Sequence, residues 1–259
     1  MRGILYYFSG TGNTKWIGDR FKESFSRRKI EVDLANIESI EEFEIDNYDF
    51  MILGTPIYAE LEPKIVDDFI EKLPVNKNNM KVIIYSTQAA KTASAVSILK
   101  LRLEKKGYKI MSESMFQMSN NYYFGVGKKT EKHTFNVIKE NAIKQVNGVV
   151  KSFINNKNTR VHLNYFRIAG AKISSKIYRK LLPKMSKNFT STEECIKCGL
   201  CLRNCPKGNI TFENSVAVFH SKCMLCMRCI HICPVNAIRY KGKMIEQTQN
   251  GMIKNLILK

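Results

Sequence analysis

The chain has 259 residues, with 42 Lys+Arg against 23 Asp+Glu for a formal net charge of +19, and it holds eight Cys. Hydrophobic residues at 44% and charged residues at 25% exclude disordered, collagen-like and low-complexity chains and allow one large domain or two ordinary ones. The opening MRGILYYFSG has too short an apolar run for a signal peptide, and no uncharged run of about 18 residues exists to span a bilayer. A cytoplasmic chain without stable membrane insertion is expected, with cysteines that serve metals rather than disulfides.

Residues 1–155 alternate short apolar, β-branched runs with helical patterns. Strands are expected at 3–8, 30–34, 49–54, 81–86 and 108–118. Between them, Trp16, Ile17, Phe21 and Phe25, then Ile65, Val66, Phe69 and Ile70, then Val96, Leu99 and Leu103 recur at helical spacing, and a last helix is expected over about 134–155. Strand and helix alternating in this way predict a doubly wound α/β domain with a five-stranded parallel sheet. Residues 31–71 carry thirteen Asp/Glu against Lys64 alone, so the positive charge lies elsewhere.

The first strand runs into Ser9, Gly10, Thr11, Gly12, Asn13 and Thr14, with a helix beginning at about Lys15. Hydroxyls and glycines between a strand and a helix N-terminus suit a phosphate, which meets exposed N–H groups and the positive end of the helix dipole. A dinucleotide fingerprint would need Gly at Lys15, and a Walker loop would need a Gly-Lys-Ser/Thr that is not found. The segment resembles the Ser/Thr-x-Thr-Gly-Asn-Thr phosphate loop of flavodoxins, which implies FMN. By that resemblance Thr55, Pro56, Ile57 and Tyr58 after the third strand flank the flavin ring, with Tyr58 stacking on it. Ser86, Thr87 and Gln88 form the other flank, although Gln88-Ala89-Ala90 stands where the family often has glycines. Tyr122 and Tyr123, after the fifth strand, are further flavin-contact candidates.

Residues 156–190 hold nine Lys/Arg and no acid, and Phe166, Ile173, Ile177, Leu181 and Met185 recur near helical spacing. A basic connector with an amphipathic helix limited by Pro183 is expected. It lacks the regular stacking aromatics of a nucleic-acid binder and suits an acidic redox partner better.

All eight cysteines follow. Cys195, Cys198, Cys201 and Cys205-Pro206 repeat as Cys223, Cys226, Cys229 and Cys233-Pro234 at an offset of 28 residues, with Ile210 and Ile238 in matching places. Three Cys at x2 spacing grip three corners of a [4Fe–4S] cube, and zinc sites rarely use this arrangement. Residues 191–240 resemble the bacterial two-cluster ferredoxin, an α+β fold in which the fourth Cys serves the other half's cluster. Cys195, Cys198, Cys201 and Cys233 are thus expected on one cluster, and Cys223, Cys226, Cys229 and Cys205 on the second. His231, between two ligands, is expected to pack rather than ligate. The expected divisions are 1–155, 156–190, 191–240 and a tail at 241–259.

The two resemblances together match fused flavodoxin–ferredoxin proteins of anaerobic prokaryotes. They imply electron transfer between iron–sulfur clusters and FMN, joining one-electron to two-electron carriers. The alternative is a flavin-dependent reductase of a small organic substrate, for which Tyr122, Tyr123 or Lys91 would be the acid/base residue.

Overall fold

The computed structural model describes residues 1–90, 94–161, 165–214, 216–254 and 256. By contact the chain divides into two units. One comprises Met1–Ser9, Asn13–Ser119 and Thr130–Ser174; the other comprises Gly10–Gly12, Asn120–Lys129 and Ser175–Lys259.

The first unit contains all five expected strands: β1 (Arg2–Tyr7), β2 (Glu31–Asn36), β3 (Phe50–Pro56), β4 (Lys81–Gln88) and β5 (Lys109–Gln117). They pair in parallel in the order β2-β1-β3-β4-β5, the flavodoxin-like doubly wound order. Nearly every position of β1, β3 and β4 is buried, so both faces of the sheet are covered, as an apolar parallel sheet requires. Close packing sets particular residues. Gly3 has no side chain because a Cβ there would meet the Phe50 ring at 2.3 Å. Helix α1 (Asn13–Ser26) lies beside α4 (Lys132–Ile154), where Phe25 packs on Phe50 and Phe153 and the Ser24 hydroxyl donates to Asn147 Oδ1 at 2.7 Å. Helix α2 (Lys64–Lys72) is tied to α3 (Ala95–Lys105) by Arg102 and Asp67 at 2.6 Å.

Helix α5 (Tyr165–Ser186) begins in the first unit and ends in the second. It continues through Pro183, which was expected to limit it. A proline this near the end removes one amide bond, and Leu182 and Met185 still pack on the core of the second unit. A second difference concerns its apolar residues. Phe166, Ile173, Ile177 and Leu181 are exposed, whereas Ile168, Ala171 and Ser175 are buried and Tyr178, Leu182 and Met185 partly so.

The rest of the second unit is small and antiparallel. Strands β6 (Phe189–Ser191), β9 (Ile238–Tyr240) and β10 (Lys243–Met244) form one sheet, and β7 (Ile210–Glu213) with β8 (Val216–Phe219) forms a hairpin. Short helices α6 (Leu200–Arg203), α7 (Arg228–Ile232) and α8 (Asn250–Ile253) complete it. The sequence repeat is also a backbone repeat. Left-handed residues recur 28 positions apart as Lys197 and Leu225, Gly199 and Met227, Gly208 and Asn236, and Asn214 and Gly242. Ile210 and Ile238 are both buried in its core. The region expected as a tail from 241 contributes β10 and α8.

Candidate functional site

β1 lies between β2 and β3, so the chain reverses direction across the sheet at β1, and the loop that leaves β1 opens at this switch point. Ser9, Thr11, Asn13 and Thr14 are buried there. Gly12 has φ +103°, a conformation that glycine adopts without strain. The first turn of α1 has no acidic residue to offset its dipole, and Lys15 is engaged by Asp19 at 2.9 Å. Backbone N–H groups and hydroxyls are therefore what this loop offers an anion. Asn13 donates from Nδ2 to Ser119 O at 3.5 Å, and its buried Oδ1 has no hydrogen-bond partner among the described residues. A Cβ at Gly12 would lie 2.1 Å from Met252 O, so close backbone packing requires glycine there, and the open Asn13 acceptor is what fits a polar ligand in the loop.

The strand ends beside the loop are joined to it. Thr14 and Thr87 share a hydroxyl–hydroxyl bond of 2.8 Å, and Tyr85 Oη donates to Thr14 O at 2.9 Å. Gly54 makes room for Tyr85: a Cβ there would lie 2.2 Å from the ring. Thr55 is buried, its hydroxyl donating to Pro56 O at 2.9 Å, and the Ile57 N–H donates to Thr87 O at 3.0 Å. Tyr58 is half-buried and opens a tight turn through its N–H to Leu61 O at 2.8 Å, with Ala59 and Glu60 both left-handed. Ser86 donates to Gln88 Oε1 at 2.8 Å, and Gln88 Nε2 donates to Ala90 O at 3.2 Å. Thr87 thus joins Thr14 and Ile57, while Thr55 bonds to Pro56 and Ser86 to Gln88, all within the first unit. Lys91 lies outside the described residues.

Just past this turn Glu62 is buried, and Arg102 Nη1 donates to its Oε1 at 3.0 Å. Burial pushes Glu62 up to about 7; a hydrogen bond with Asp67 acts in the same direction, and Arg102 acts against both.

In the second unit, one pocket is lined by Cys205, Cys223, Cys226 and Cys229. Another is lined by Cys195, Cys198, Cys201 and Cys233. Each set takes three thiols from one half of the repeat and the fourth from the other. All eight are free cysteines, and Cys198 is the exposed one. Among the described residues no three His, Cys, Asp or Glu converge as for a single ion. N–H groups point at sulfur in matching places: Asn209 to Cys205 and Ala237 to Cys233, both at 3.3 Å, with Leu225 to Cys223 also at 3.3 Å. Burial pushes the Cys201 thiol up to about 11 and Cys226 up to about 12. Buried thiols of this kind resist ionising until a cation compensates them, so loading a metal would release protons. A soft, all-sulfur donor set around a cavity fits an iron–sulfur cluster.

His231 is buried, and burial pushes it down to about 4, so it stays neutral. Sequence reasoning missed Arg228. It is 6% exposed, follows Cys226 by two positions, and donates to Gly10 O at 3.1 Å and Asn204 O at 3.0 Å, all within the second unit. Asn121, in the segment after the fifth strand that the sequence offers as able to reach the flavin, donates from Nδ2 to Thr11 Oγ1 at 2.9 Å, a partner that the sequence does not indicate. Tyr122 and Tyr123 belong to this unit. Tyr122 bonds to Tyr240, and burial raises its pKa, while Tyr123 Oη accepts from the Glu246 N–H at 3.0 Å. Their bonding partners are residues of the cysteine unit.

The strand order and the paired thiol cavities define a redox protein built from two known modules. The family model for the flavodoxin domain matches residues 4–132, and that for the 4Fe-4S dicluster domain matches residues 194–237. The chain therefore has a fused flavodoxin–ferredoxin architecture. It is 26% identical over 122 residues to a flavodoxin of Maridesulfovibrio salexigens, covering 44% of this chain and 84% of that protein. It is 28% identical over 155 residues to an uncharacterized protein of Methanocaldococcus jannaschii, covering 59% of this chain and 97% of that one. The structure of oxidised flavodoxin 2 from Bacillus cereus overlays with a TM-score of 0.47 at 22% identity, covering 60% of this chain and 99% of that chain. The fold class rests on the strand order rather than on that overlay. A flavodoxin domain implies FMN and a dicluster domain implies iron–sulfur clusters, so the general activity is electron transfer.

Proposed function

We propose that this chain couples one-electron and two-electron carriers. In this reading Cys195, Cys198, Cys201 and Cys233 hold one [4Fe–4S] cluster, Cys223, Cys226, Cys229 and Cys205 hold a second, and residues 9–14 hold FMN. The observation that carries it is the pair of cavities, each lined by one of these quartets. When bound, FMN supplies two-electron storage filled one electron at a time, and each cluster supplies one-electron transfer.

The chain's own residues position and tune these groups. Ser9, Gly10, Thr11, Gly12, Asn13 and Thr14 bind a terminal phosphate through hydroxyls and N–H groups without a neutralising lysine, since Lys15 is held by Asp19. Thr55, Pro56, Ile57 and Tyr58 form one edge of the ring pocket, and Ser86, Thr87 and Gln88 form the other. Tyr122 and Tyr123 are bonded to Tyr240 and Glu246 within their own unit. Amide donors at Cys205, Cys223 and Cys233, and the Arg228 cation, favour the more negative reduced sulfur sites and raise their potentials. Cys198, the exposed thiol, marks the side that a redox protein partner approaches.

Anaerobic purification with cofactor analysis tests this reading. It predicts eight iron, eight sulfide and one FMN per chain. A folded, iron-loaded preparation that neither contains nor binds FMN would overturn the N-terminal half, and one cluster per chain would overturn the quartets.

A further inference from the structure

Helix α5 has two apolar faces, and the structure buries only one. At about 100° per residue, Ile168, Ala171, Ser175, Tyr178 and Leu182 form an inward stripe. Ile168, Ala171 and Ser175 are buried, and Tyr178 and Leu182 are partly buried against the core of the second unit. Phe166, Ile173, Ile177 and Leu181 lie about 145° round the helix from that stripe. They are 93%, 63%, 55% and 45% exposed, and Tyr165 at the helix start is 72% exposed.

The outward residues alternate with cations in a four-residue period: Lys172-Ile173, Lys176-Ile177, Lys180-Leu181, then Lys184. Steps of four trace a ridge along a helix, so a lysine ridge runs beside an apolar ridge. Both are solvent-exposed, and no acidic residue occurs between 156 and 190 to neutralise them. The exposed ridge is about 22 Å long and one side chain wide.

We propose that this face of α5 lies on an anionic lipid surface, with Phe166, Ile173, Ile177 and Leu181 in the headgroup–acyl boundary and the lysines on lipid phosphates. An apolar stripe flanked by lysines is what an interfacial helix presents, and the lysine stems let the ammonium groups stay at headgroup level while the stripe sinks. Anionic headgroups complement the uncompensated charge. An acidic protein would also meet the charge, but a single ridge exposes only a few hundred Å², short of the roughly 800 Å² per partner of a stable protein interface. A bilayer needs no matching partner surface. This is surface adsorption: among the described residues no helix is long and apolar enough to cross a membrane.

The test is flotation of the full-length, cofactor-loaded protein with phosphatidylglycerol/phosphatidylcholine vesicles and with phosphatidylcholine alone. The protein should float with the first and remain at the bottom with the second. Two variants separate the contributions. Ile173→Ser with Ile177→Ser and Leu181→Ser, and separately Lys176→Gln with Lys180→Gln and Lys184→Gln, should each lower the bound fraction at least tenfold while iron and flavin content stay as in the parent. Ile177→Trp gives a second readout that needs no loss of function: the emission of the introduced indole should shift to the blue on the anionic vesicles alone. Failure to float at low salt, undiminished flotation of the serine variant, or an unshifted emission from the Ile177→Trp protein would each overturn the proposal. So would an acidic redox protein that protects this ridge from labelling while the vesicles do not.

Discussion

The hydroxyls of Thr14 and Thr87 lie 2.8 Å apart, both buried, and so join the first turn of α1 to the end of β4. Thr87 also accepts the Ile57 N–H at its carbonyl, at 3.0 Å. One residue therefore links the phosphate loop to both strand-end loops. Thr87→Val strands a buried hydroxyl on Thr14 and should cost about 1–2 kcal/mol of stability and weaken FMN binding. Thr87→Ser should restore both. Urea unfolding of the flavin-free form and flavin titration measure the two effects.

Gly54→Ala places a methyl group 2.2 Å from the Tyr85 ring, on the central strand β3. Overpacking of this kind costs about 1–3 kcal/mol. Thermal unfolding should show the loss, and combining it with Tyr85→Phe should relieve it only in part, because the ring carbons at 2.2 and 2.6 Å remain when the hydroxyl at 2.3 Å is removed.

The quartets cross between the halves of the repeat, so the fourth cysteine predicts which cluster is lost. Cys233→Ala should lower iron from about eight to about four per chain and open Cys195, Cys198 and Cys201 to alkylation, leaving Cys223, Cys226 and Cys229 protected. Cys205→Ala should give the reverse pattern. Mass mapping of alkylated thiols after anaerobic labelling reads the result. Loss confined to the mutated half would contradict the crossing.

Glu62 titrates at about 7 in the folded chain, above its ordinary value of 4.5. Between those values the folded state binds more protons than the unfolded one, so this group's stabilising contribution is full below about 4.5 and is lost as pH rises through about 7. The expected fall is at most a few kcal/mol. Glu62→Gln should flatten the stability–pH curve of the parent over this window, as measured by the difference in melting temperature between the two proteins.

The elements that span many residues with a clear period were legible in the sequence. The strands recur as β-branched runs, and the cysteines repeat at 28 residues, a period the left-handed pairs Lys197/Leu225 and Gly199/Met227 repeat in the backbone. Local spacing carries no information about which nonadjacent residue completes a hydrogen bond. Tyr123 with Glu246, Asn121 with Thr11 and Arg228 with Gly10 were therefore invisible. Helix α5 shows a different failure. Its apolar spacing is helical, but two apolar stripes compete for one interior, and hydrophobicity alone does not choose Ile168 over Ile173.

The central claim is that clusters and flavin in one chain share electrons, and pulsed reduction of the anaerobic, fully loaded protein by a one-electron donor tests it most directly. Cluster absorbance should bleach first, followed by flavin bleaching at a rate independent of protein concentration. A flavin that stays oxidised while the clusters are reduced, or that is reduced only at a rate proportional to protein concentration, would contradict the account.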